Sequence, residues 1–138
     1  MQVSVSATHD MKFQALAPNG TVCPIGASEK VGGDGSGFRP MELLLGAMAS
    51  CAVIDTVLIL KKMQVPFERI DIEVDGDRVD ATPAPFSNIT VKFQVKGASP
   101  DHLPKVEKAV KLSVEKYCSV AASLDPKIAI RHLAEIAA

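Results

Sequence analysis

The sequence contains no run of like charge: 15 basic and 16 acidic residues are interspersed, for a formal net charge of −1. A nucleic-acid footprint and a polybasic membrane anchor both need clustered cations, so neither partner is expected. Cysteine is scarce as well. Cys23, Cys51 and Cys118 form no CxxC pair and no disulfide-dense spacing, and the opening MQVSVSATHDMK lacks the basic-then-apolar profile of a secretory signal. A reducing, cytoplasmic setting is therefore expected. His9, His102 and His132 show no ligand spacing with one another or with the cysteines, so no metal is expected. VGGDGSGF, residues 31–38, has no GK[ST] after it and does not match GxGxxG, so no nucleotide cofactor is expected either. No internal repeat or low-complexity boundary interrupts the 138 residues, which predicts one domain over 1–138.

What is present divides by period. VSVSA, KFQAL and TVCPI read as extended segments, the latter two flanking a Pro18-Asn19-Gly20 turn, so a hairpin is predicted there. The glycine-rich stretch that follows reads as a mobile loop or lid. Pro40 suits a first helical turn, Glu42 favours the positive end of the dipole, and Pro66 stops a helix that can run to about Gln64. From Leu43 to Leu60 only Ser50, Asp55 and Thr56 are polar. That is long enough to suggest a membrane span, but the polar residues and the lack of a second such segment argue against one. Too few for a solvent-facing stripe, they predict a helix covered on nearly all sides, by sheets or by a second subunit.

Two strands should follow, RIDIEVDGD with Ile70, Ile72 and Val74 on one face and NITVKFQVKG with Ile89, Val91, Phe93 and Val95. Residues 101–117 place Leu103, Val106, Val110, Val114 and Tyr117 at helical spacing; CSVAASLDP reads as a short helix from Ser119, and KIAIRHLAEI as a last strand. The order predicts an α+β fold rather than a doubly wound sheet.

A thiol attacks as its thiolate, and a thiolate in a dry core needs a cation, a helix terminus or a hydrogen-bond donor. Cys51 in a Leu/Ala/Met helix would ordinarily be a small core residue. Asp55, one turn later, unsettles that reading, since a buried carboxylate also demands a partner, although its charge opposes a thiolate. Cys118 lies near free N–H groups at a helix start, where a thiolate is stabilised. Cys23, before a proline in an edge strand, reads as structural.

RPMELLLGAMASC, with EKYCSVAASL placing Cys118 67 residues after Cys51, resembles the OsmC/Ohr family of osmotically inducible and organic hydroperoxide resistance proteins. The resemblance implies antiparallel sheets wrapped around a long central helix in an intertwined homodimer. It also implies a thiol peroxidase without metal or organic cofactor: Cys51 attacks an organic hydroperoxide, Cys118 resolves the sulfenic acid, and an external dithiol reduces the disulfide. Family peroxidases activate the cysteine with an arginine ahead of the central helix, held by a glutamate in an Asn-Pro-Glu opening. Aligned on Cys51, Met41 stands at that glutamate, Glu42 one residue later and Arg39 at the asparagine; Lys12 and Lys30 are the only earlier cations. Arg39 and Glu42 are therefore assigned to the site, with Lys30 and Asp55 as electrostatic helpers. The competing readings are a non-enzymatic dimer binding a hydrophobic small molecule and a stress-response redox sensor.

Overall fold

Period-two patterning becomes strand here, and the long apolar stretch becomes helix. The computed structural model describes residues 1–138, which form two compact units, 1–44 and 45–138. In the first, β1 (Ser4–Ala7), β2 (Lys12–Leu16) and β3 (Val22–Gly26) make an antiparallel sheet in that order. The expected hairpin joins β2 to β3: Ala17 N–H donates to Thr21 O at 2.9 Å, and Gly20 takes φ 86°, a conformation a side chain would resist. Cys23 sits half-buried on β3, an edge strand.

The helix α1 (Pro40–Lys62) starts at the proline, as predicted, and ends within two residues of the expected position. Its first turn belongs to the first unit and the remainder to the second. Met48, Ala52, Thr56 and Leu60, spaced by four, form its buried face. Leu60 joins Val65, Val95, Val106 and Ala109 in a core cluster with Ile59, Met63 and Phe67 packed around it. The opposite face differs from the prediction of all-round cover. Ile54 and Leu58 are 61% and 60% exposed, because one sheet and one further helix can lie against only one side of a cylinder. By length and composition α1 could cross a bilayer; its inner face is instead packed against protein.

In the second unit, β4 (Arg69–Arg78) pairs antiparallel with β5 (Phe86–Lys96), whose Ile89, Val91, Phe93 and Val95 are fully buried as the alternation predicts. The last strand, β6 (Ala129–Ala137), corrects the expectation of purely antiparallel sheets. It lies parallel to β5, which a crossover through helices permits and a hairpin does not. That crossover is a 3₁₀ turn (Pro100–His102), α2 (Leu103–Leu112), a π-helical turn (Ser113–Tyr117) and the one-turn α3 (Ser119–Ala122). Val106, Val110 and Val114 are buried as read, but Tyr117 is exposed: the wider π turn carries it off the apolar face.

Candidate active site

The site is assembled where the π turn meets α1. Ser113, the first residue of that turn, is completely buried, and its Oγ donates to Ala52 O at 2.6 Å, linking residues 61 apart in sequence. Ala52 O also accepts Thr56 Oγ1 at 2.9 Å, so one carbonyl beside Cys51 holds two buried hydroxyls. At the other end of the turn, Cys118 N–H donates to Ser113 O at 2.8 Å, the i to i−5 bond of a π turn. Ser113 therefore touches α1 with its side chain and holds Cys118 with its backbone.

The result is a pair of neighbouring thiols. Cys51 is close enough to Cys118 to perturb its thiol, and Cys118 Sγ stands 3.8 Å from Met48 O, one turn before Cys51. Neither cysteine is in a disulfide. Cys118 also caps α3, accepting Ala121 N–H at 3.4 Å, the helix-start donor expected from the sequence. That donor does not win. Burial pushes the Cys118 thiol up, the Ala121 N–H pulls it back less strongly, and the neighbouring Cys51 raises it further. Cys118 is 3% exposed and Cys51 half-buried.

Cys118 forms part of the wall of a cavity of about 340 Å³ whose apolar lining includes Val114, Ala121, Leu124, Ile128 and Ile130. Glu115, on the rim, receives His132 Nε2 from β6 and Lys111 Nζ from α2, each at 2.9 Å. The His132 bond, then Lys111, holds the Glu115 carboxyl below the ordinary glutamate range.

The remaining assigned residues divide between the units. In the first, Arg39 Nη1 donates to Ser36 O at 3.0 Å and Gly37 O at 3.1 Å, and Nη2 to Gly35 O at 2.7 Å. Its backbone N–H donates to Glu42 Oε2 at 2.9 Å, so Glu42 closes the first turn of α1 as a reciprocal cap does. Asp34 accepts the Ser36 hydroxyl at 2.5 Å and the Ser36 N–H at 2.9 Å and meets Lys12 Nζ at 3.0 Å; those bonds, the hydroxyl foremost, hold its carboxyl well below the usual range. The glycine-rich loop read as mobile is thus cross-tied by Arg39 and Asp34. Lys30 sits exposed in a 3₁₀ turn, Glu29–Val31. In the second unit, Asp55 is half-buried, and no salt bridge of the chain includes it.

Sequence reasoning missed Ser113, Glu115 and His132. Ser113 left a trace: a hydroxyl between Val110 and Val114 on the apolar side of a helix needs a buried acceptor.

The family model for OsmC-like proteins matches residues 33–132, well over half of the chain and including both cysteines of the pair. The chain belongs to the OsmC-like family. Protein YhfA of Escherichia coli K12 is 36% identical over 99 residues, covering 72% of this chain and 73% of that protein. Among solved structures, a hypothetical protein of Aquifex aeolicus VF5 superposes with a TM-score of 0.82 at 29% identity, covering 99% of this chain and 95% of its own. The organic hydroperoxide resistance protein OhrB of Bacillus subtilis shares the fold at 14% identity, with a TM-score of 0.69 and 98% coverage of each chain. Within this OsmC-like chain, the long α1 and the π turn leading into α3 are the elements that bring the cysteines together.

Proposed function

We propose that this OsmC-like protein is a thiol-dependent peroxidase acting on organic hydroperoxides. The observation that carries the reading is the nearness of Cys51 on α1 to Cys118 at the start of α3. Cys51 thiolate attacks the distal peroxide oxygen: an S–O bond forms, the O–O bond breaks, and the alkoxide leaves as the alcohol after taking a proton. Cys118 sulfur then attacks the Cys51 sulfenic sulfur, releasing water and forming the disulfide. An external dithiol restores both thiols by exchange, becoming a disulfide itself. The raised Cys118 suits the second role better than the first, since a thiol un-ionised at neutral pH is a poor opening nucleophile. The apolar cavity beside Cys118 is within the size range of small-molecule sites and suits an organic rather than an inorganic peroxide. Arg39 and Glu42 enter this reading by shaping the start of α1. The exposed Ile54 and Leu58 support a homodimer paired through α1.

Cumene hydroperoxide consumption with excess dithiol tests the proposal. Wild type is expected to turn over and Cys51→Ser to lose all activity. Cys118→Ser should form a Cys51 sulfenic acid, trapped by dimedone, but no intramolecular disulfide. Equal, negligible consumption by all three would overturn the peroxidase in favour of a dimer that only binds a hydrophobic molecule. A peroxide-dependent disulfide without turnover would favour a redox sensor.

A further inference from the structure

We infer that Ser113 is a positioning residue for the Cys51–Cys118 pair, setting how readily the two sulfurs bond; this rests on the two-cysteine reading above. The geometry is one of a double tether. The Ser113 hydroxyl is anchored 2.6 Å from Ala52 O, the carbonyl immediately after Cys51, while its own carbonyl receives the Cys118 N–H at 2.8 Å. One residue thus ties the backbone of Cys118 to that of Ala52, the neighbour of Cys51, and it is fully buried, so water offers the hydroxyl no alternative partner.

The π turn explains why a tether is needed. From Ser113 to Tyr117 the helix is widened, and wide turns are uncommon because their backbone bonds pack less well. The Ser113–Ala52 bond secures the inner side of this segment; Glu115, bonded to His132 and Lys111, secures the outer side. Without the inner bond the Cys118 end can drift from α1, and the sulfurs meet less often. Thiols held near bonding geometry before reaction lose less freedom when the S–S bond forms, which appears as a higher effective concentration. The consequence is a lower reduction potential for the disulfide than the untethered pair would have.

Equilibrium with glutathione isolates this effect without any peroxide. Protein disulfide plus two glutathione thiols gives the protein dithiol plus glutathione disulfide, two electrons and two protons passing to the protein. Full-length Ser113→Ala is expected to shift that equilibrium toward the dithiol by about tenfold, a potential about 30 mV higher. Val110→Ala, equally buried one turn earlier on α2 but without a polar link to α1, should lower stability and leave the potential unchanged. Ser113→Thr and Ser113→Val add a pair of nearly equal shape differing in the hydroxyl, so that the comparison survives poor folding of the alanine variant. Thr should keep the wild-type potential and Val should shift with Ala. Equal potentials across the Ser113 series, with only stability changing, would overturn the inference and leave the peroxidase reading standing. Failure of the wild type to form the disulfide at any glutathione poise would overturn both.

Discussion

Cys118 shows how competing effects decide the character of one residue. The helix-start donor that its place in the chain predicts is present, as the 3.4 Å contact from Ala121 N–H, yet burial outweighs it and the thiol is raised. The sign of the pH dependence follows. Below the ordinary thiol value both folded and unfolded chains hold the proton, and the full stability is present. Between that value and the raised one only the unfolded chain ionises, so stability falls as pH rises above about 8.5. Urea unfolding of the reduced protein from pH 7 to 10 should show this decline, and Cys118→Ala should flatten it. A decline of equal slope in the variant would place its cause elsewhere. The sulfur pair itself was legible in the sequence because cysteine is chemically rare and the motifs around each are specific. Ser113 was not, since a serine on the apolar side of a helix signals only that some buried acceptor is needed, and which residue supplies it is fixed by the packing of another helix.

Elements were read best where one period ran without interruption. β5 alternates over the nine residues from Asn88 to Lys96, and every inward position there found the core. β4 contains a further constraint that alternation does not express. A side chain at Gly76 would stand 2.5 Å from the buried Phe86 ring and 3.2 Å from Leu45, so the strand approaches its neighbours at a point where only hydrogen fits. Gly76→Ala should therefore destabilise the protein by about 1–3 kcal/mol through overpacking, despite alanine's lower entropic cost in a strand. Denaturant midpoints for this variant and for the open-turn control Asn19→Ala would separate overpacking from a general loss; equal midpoints for Gly76→Ala and wild type would sink the argument. The π turn was the least legible element. Its sequence continues the apolar spacing of α2, and only the exposure of Tyr117 reveals the extra residue.

At the scale of the whole molecule, the sequence demanded cover for α1 on nearly all sides, while the chain covers the line Met48, Ala52, Thr56 and Leu60 and leaves Ile54 and Leu58 exposed. Two large aliphatic side chains one turn apart on a helix are costly to keep in water, roughly 1.5–3 kcal/mol each relative to burial. The proposed pairing of two copies through α1 would remove that cost. Sedimentation velocity of wild type is expected to give a dimer, and Ile54→Glu with Leu58→Glu a monomer whose far-UV circular dichroism is retained. A monomeric wild type at micromolar concentration would rule the pairing out.

The sequence by itself determined the α+β order of elements, the start and length of α1 and the buried face of β5, and it singled out the two cysteines proposed as the redox pair. These follow from sterics and burial acting over a few residues, where the neighbours are known in advance. Tertiary structure alone decided that β6 lies parallel to β5, that Ser113 reaches Ala52, that Glu115 binds His132, and that Cys118 is raised rather than lowered. Each depends on which distant segment supplies the partner or excludes the water, and local periodicity contains no record of that.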